Sequence, residues 1–150
     1  MTVKVQDVKK LREETGAGVM DAKSALEESG GNFEEAKKLL IKRGVAKAAK
    51  KASRETKAGL VHSYIHAGGR AGSLVVVACE TDFVAATDDF VGLCDEIAMQ
   101  VCAMDYESVE ELLADEYIRD SGKRVGDLVT EVIAKVGENI EVRDFVKFSV

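Results

Sequence analysis

Proline and tryptophan are both absent from this 150-residue chain. Without Pro no position removes a helical N–H or forces a kink, so long unbroken helices are permitted. Five Phe and three Tyr are the only aromatics, so a core must be assembled from Val, Leu, Ile and Ala. The three cysteines, Cys79, Cys94 and Cys102, form no C-x-x-C pair and no paired metal spacing. They read as small buried hydrophobes, because a reactive thiol needs an environment that lowers its pKa and none is visible around them. No apolar run approaches the length that spans a bilayer, and no apolar block of the signal-peptide kind opens the chain. No membrane association and a cytoplasmic location are therefore expected. No nucleophile, base and orienting group stand at a recognisable spacing, so the chain reads as a non-enzyme with neither cofactor nor metal.

What is present begins with helices. Residues 4–44 read as three short ones. Val5, Val8 and Leu11 make a narrow stripe on the first, and Thr15-Gly16-Ala17-Gly18 breaks the pattern. On the second, Val19, Ala22 and Leu26 share a face, whereas Met20 falls well away from it beside Lys23 and across the glycine corner from Arg12. An exposed Met among cations suits a docking surface; a scattered surface apolar is the plainer reading. Gly30-Gly31 ends this helix. Asn32 with Glu35 starts a third, with Phe33, Ala36, Leu39 and Leu40 inward. From Lys37 to Lys57 run nine Lys or Arg and one acid, Glu55, an excess of about +8; with a whole-chain charge of −6, the remainder must carry about −14. A solvated helical linker over 45–57 fits Ala46, Ala48, Ala49 and Ala52 between the cations better than an RNA-reading stripe does, and both readings stay open.

After Gly59 the period changes to extended. Leu60–His66 and Leu74–Cys79 predict a hairpin, the second strand apolar on both faces and therefore central. His62, Tyr64 and His66 share one strand face, but two imidazoles without a carboxylate or Cys at ligand spacing make a poor metal site. The run Asp88–Met104 predicts a long helix with Phe90, Leu93, Ile97, Val101 and Met104 inward and Asp95, Glu96 and Gln100 outward. Ser108 with Glu111 opens a short helix near Val109–Ala114. Leu128, Val129, Val132, Ile133 and Val136 give another, closed at Gly137. Ile140, Val142, Val146 and Phe148 alternate with charged residues as a final strand, which returns to complete a three-stranded antiparallel sheet with helices on one face. The fold class is α+β.

Between the apolar strand and the long helix lies Thr81-Asp82-Phe83-Val84-Ala85-Ala86-Thr87-Asp88. Thr81 and Asp88 can each accept a backbone N–H at a helix start, so one short helical turn is expected ahead of the long helix. Phe83 precedes the core register and sits beside a carboxylate. Either it caps the core, or it enters a partner as an apolar wedge with Asp82 aimed at a cation or helix end.

Four stretches resemble the elongation factor Ts family. Thr81-Asp82-Phe83-Val84 is similar to its Thr-Asp-Phe-Val signature. Leu11-Arg12-Glu13-Glu14-Thr15-Gly16-Ala17-Gly18-Val19-Met20-Asp21-Ala22-Lys23 resembles its amino-terminal signature nearly residue for residue. Val136-Gly137-Glu138-Asn139-Ile140-Glu141-Val142-Arg143 is similar to its closing motif, and Lys47-Ala48-Ala49-Lys50-Lys51-Ala52 to its linker. The resemblance implies a ubiquitin-associated-like three-helix docking module at 1–44, a basic helical linker at 45–57 and an α+β dimerisation core at 58–150. It implies a guanine-nucleotide exchange factor that binds elongation factor Tu in its GDP and nucleotide-free forms. Arg12, Val19, Met20 and Lys23 would dock on the nucleotide domain, and Thr81, Asp82, Phe83 and Val84 would dislodge Mg²⁺ there.

The chain departs from the family in one region, since members carry more residues between the long helix and the last strand than Asp105–Lys123 allows. Long members duplicate the core, so one core module here implies a homodimer. Two other classes remain open at this level: a ubiquitin-associated-like adaptor, which leaves the Thr81–Val84 corner idle, and an RNA-binding accessory protein, against which the acidic remainder weighs.

Overall fold

A computed structural model describes residues 3–150. Helices α1 (Val5–Thr15), α2 (Val19–Glu28) and α3 (Phe33–Lys51) come first. Then follow strands β1 (Ala58–Ile65) and β2 (Ala71–Cys79), the short α4 (Asp82–Ala85), α5 (Asp88–Ala103), α6 (Val109–Ala114), a small hairpin β3 (Glu116–Tyr117) and β4 (Asp120–Arg124), α7 (Val125–Val136) and β5 (Ile140–Ser149). The main sheet is antiparallel in the order β1-β2-β5, with α5 against its inner face. The fold class is α+β as expected, and the doubly apolar strand is the central one.

Local chemistry sets the helix ends. Asn32, Thr81, Thr87 and Ser108 each accept a backbone N–H three residues on, at 3.2, 3.4, 3.3 and 3.1 Å. At α5 the cap is thus Thr87, one residue before the Asp88 foreseen. Gly16 and Gly137 close α1 and α7 with φ of 69° and 77°, left-handed values that a side chain would make costly.

Two clusters make the interior. Leu11, Ala22, Ala25, Leu26, Ala36 and Leu40 hold the first three helices together. The larger one joins Val75, Val77 and Cys79 of β2 to Phe90, Leu93, Cys94, Ile97 and Val101 of α5, with α7 and Ile140 and Val142 of β5 closing round it. Among the described residues no helix is long and apolar enough to cross a membrane.

The structure corrects several sequence expectations. Val5 and Val19 are exposed at 83% and 50%, because each begins a helix in a small module whose interior is already filled one turn further on. The third helix does not stop at residue 44. Nothing interrupts it through Lys51, and α7 packs on it at Gly44, where a Cβ would lie 3.6 Å from that of Ala134. The stretch read as a solvated linker is mostly exposed, although Ala48 packs against the main core. Met104 leaves the α5 register as its exposed C-cap.

The final strand changes phase. Val77 pairs with Val142 but Val76 with Asp144, so Arg143 is an extra residue, a bulge that turns Phe145 inward and Val146 and Phe148 outward. Gln100 is not outward either. It is fully buried, donating through Nε2 to the Tyr106 hydroxyl (2.7 Å) and the Glu116 carbonyl (3.0 Å) and accepting the Ile118 N–H (3.0 Å). The β3–β4 hairpin, which the sequence pattern does not announce, supplies those backbone partners. Tyr106 in turn donates to Asp115 at 2.6 Å, and burial followed by that carboxylate raises its phenol to about 12.

Gln100→Leu keeps the volume and removes the three hydrogen bonds to the Tyr106 hydroxyl, the Glu116 carbonyl and the Ile118 N–H, at about 0.5–1.5 kcal/mol for each. A loss of about 2–4 kcal/mol in urea unfolding is expected; a change below about 0.5 kcal/mol would contradict this role.

Candidate partner-binding site

The Thr81–Val84 corner follows directly from the core. Strand β2 ends buried at Cys79 and α5 resumes burial at Phe90, so the connection must turn through roughly ten residues at the surface. Within it α4 is too short to bury more than one side. Val84 and Ala85 take that side, at 4% and 6% exposed, and Thr81, Asp82 and Phe83 are exposed. The Phe83 ring is 82% accessible. It does not cap the core. Val84, placed by sequence among the partner-contacting residues, is instead the anchor that holds the corner down. An apolar ring of this size, unsupported by its own fold beside a carboxylate, can insert into an apolar cleft while Asp82 addresses a cation.

The second group lies around the α1–α2 corner. Arg12, Val19, Met20 and Lys23 are all exposed, Met20 at 73%, and Lys23 stands 3.7 Å from Glu27 in a surface pair that leaves both solvated. Lys135 of α7 reaches the glycine corner between α1 and α2. Its ammonium is 2.9 Å from Asp89 at the start of α5, and its stem passes so close to Gly16 that a Cβ there would meet it at 3.3 Å. The glycine corner and the start of α5 thus meet one side chain of α7. A groove of about 230 Å³ opens beside Gly16 and Gly18, bounded by Ile41, Val45, Lys123 and Ala134; the Thr81–Val84 residues are not among its walls.

The remaining candidates are quieter. Cys79, Cys94 and Cys102 are all buried and free. Burial, with the neighbouring Asp95 second, raises Cys94 to about 12, and burial and then Glu138 raise Cys79, so both thiols stay protonated. His62 Nε2 meets the Asp95 carboxylate and Tyr64 meets His66 Nδ1 at 3.1 Å. Among the described residues no group of three or more His, Cys, Asp or Glu could hold a metal. In the basic run, Lys37, Arg43 and Lys47 pair with Glu14, Glu28 and Asp21, so part of its charge is turned inward to α1 and α2.

Comparison with known proteins finds one family along nearly the whole chain. A family model described as Elongation factor TS matches residues 80–150, which begin at the Phe83 corner. Elongation factor Ts of Thermoanaerobacter sp. (strain X514) is 43% identical over 191 aligned positions, covering 97% of this chain and 94% of that protein. That of Fervidobacterium nodosum is 42% identical, covering 100% and 99%. For Clostridium perfringens (strain SM101 / Type A) the identity is 46%, over 99% of this chain but only 48% of the relative. The 191 positions aligned with the Thermoanaerobacter protein exceed the 150 residues here, so that relative carries internal chain that this one lacks. With two exposed corners at the signature stretches and this similarity along nearly its whole length, the chain belongs to the elongation factor Ts family of translation elongation factors.

Proposed function

We propose that the chain is a guanine-nucleotide exchange factor: it binds elongation factor Tu loaded with GDP and promotes GDP release. The observation behind this reading is the exposure of Phe83 beside Asp82 on a corner anchored by Val84. In this reading 1–44 is the docking module, 45–57 a basic linker and 58–150 the core. Arg12, Val19, Met20 and Lys23 grip the nucleotide domain, while Phe83 enters between two of its helices and Asp82 disturbs the surroundings of Mg²⁺. Neither nucleic acid nor a membrane takes part, and the work is done in the cytoplasm.

No catalytic centre is required. A protein that prefers the nucleotide-free partner must weaken GDP by the same factor by which GDP weakens it, typically about 1–3 kcal/mol of coupling. Mg²⁺ offsets phosphate charge, so disturbing its ligands lowers the barrier to GDP departure, and the apolar wedge supplies binding free energy to do so. Phe83→Ala is expected to leave urea stability within about 0.5 kcal/mol, because the ring is mostly solvated. It is expected to slow stimulated release of fluorescent GDP by about tenfold or more, about 1.4 kcal/mol in barrier. An unchanged stopped-flow rate would refute the wedge.

The same reading includes a symmetric homodimer. The outer face of the main sheet leaves Val61, Ile65, Leu74, Val146 and Phe148 exposed at 68%, 66%, 42%, 39% and 72%, an apolar patch on one side of three strands. A second copy offers the same patch, as a two-fold interface requires. It would also stand in for the additional chain of relatives about twice this length. Sedimentation at micromolar concentration is expected to give a dimer that Phe148→Asp turns into a monomer. A concentration-independent monomer in the parent chain would refute it.

A further inference from the structure

The closing motif Gly137-Glu138-Asn139 has no task in the contacts proposed so far, yet it lies directly against the Phe83 corner. Gly137 turns the chain out of α7 and brings Glu138 over the start of α4. There the Glu138 carboxylate forks onto one residue: Oε1 accepts the Thr81 backbone N–H at 3.0 Å, and Oε2 accepts the Thr81 hydroxyl at 2.7 Å. That hydroxyl oxygen accepts the Val84 N–H at 3.4 Å, so the chain of bonds continues into the helix. The next residues return the contact. Glu80 Oε1 accepts the Asn139 N–H at 2.7 Å, so each segment places a carboxylate on the backbone of the other. Asn139, 3% exposed, also donates to the Arg54 carbonyl at 2.9 Å, and Arg54 stands 3.5 Å from Glu80. The residues just after α3 are tied into the same brace.

We propose that Glu138 is a positioning residue for nucleotide exchange: it holds the amino-terminal end of α4 so that Asp82 and Phe83 project in the direction the partner receives. The proposal rests on the exchange reading above. Phe83 itself touches too little of its own fold to fix its direction, so α4 must be held at both ends. Val84 and Ala85 are the buried end, and the fork on Thr81 is the other. Bonds to an ionised carboxylate are stronger than neutral ones, and a fork fixes orientation as well as distance. Glu138 is half-buried and lies outside the apolar cluster, so its removal frees the corner without opening the core. A wedge that is already aimed loses less on binding than one that must be ordered first.

The test uses the full chain with Glu138→Ala and Glu138→Gln. For E138A, amide hydrogen exchange at Thr81 is expected to rise about tenfold while the urea midpoint holds. The limiting rate of stimulated GDP release is expected to fall about fivefold, with half-saturation, set by the docking module, moving less than about twofold. E138Q keeps one acceptor oxygen and is expected to recover part of both effects. Thr81→Val removes the hydroxyl leg together with the cap on the Val84 N–H and should act in the same direction, which keeps the idea testable if E138A does not fold. Unchanged Thr81 exchange, or faster exchange with an unchanged limiting rate, would overturn the latch. Phe83→Ala measured alongside separates the two levels. If it slows release and E138A does not, only the latch fails; if it too is silent, the exchange reading fails and the latch with it.

Discussion

The burial of β2 beneath α5 is the constraint on which the rest of the molecule depends. Val75, Val77 and Cys79 are fully covered, and so are Phe90, Cys94 and Ile97 opposite them. Each large apolar side chain taken from water contributes about 1.5–3 kcal/mol, so strand and helix cannot move apart without losing most of the core. Once both are fixed, the chain between Cys79 and Phe90 has a short span to cross. It can bury Val84 and Ala85 and must then turn Phe83 outward. The exposed ring is thus a consequence of what is hidden on either side of it.

The same logic accounts for the polar bracing. A surface corner held only by two small buried side chains would pivot, and here carboxylates are placed where backbone N–H groups would otherwise face water. Glu138 serves Thr81, Glu80 serves Asn139, and Arg143 donates to the Thr56 carbonyl and hydroxyl on the segment leading into β1. Lys135 extends the brace to the glycine corner near Met20. Helix α7, packed on α3 and leading into Glu138, links the two exposed groups proposed to meet elongation factor Tu.

Much of this was legible before any coordinates, for reasons that can be named. Caps at Asn32, Thr81 and Ser108 depend on residues three positions apart, and the central place of β2 depends on apolarity at consecutive positions. Both are local signals. Gln100 was misplaced because its partners, the Glu116 carbonyl and the Ile118 N–H, belong to a hairpin that no periodicity announces. A polar residue in an apolar helix face is legible only when its distant partners are known. Val146 and Phe148 were put on the wrong face because one bulged residue, Arg143, inverts everything after it. At the candidate site the exposure of Met20 could be read from register, which left Phe83 open between a core cap and an exposed ring. The inward turn of Val84 and the fork from Glu138 could not, since the latter joins residues 57 apart in sequence.

The central claim is that this chain prefers elongation factor Tu without its nucleotide, and a closed thermodynamic cycle tests it most directly. Calorimetric titration of the chain into nucleotide-free and GDP-loaded elongation factor Tu, with GDP titrated in the presence and absence of the chain, gives all four affinities. The account predicts tighter binding to the empty form, and a matching loss of GDP affinity when the chain is bound. Equal affinity for the two forms, with GDP binding unaffected, would contradict it.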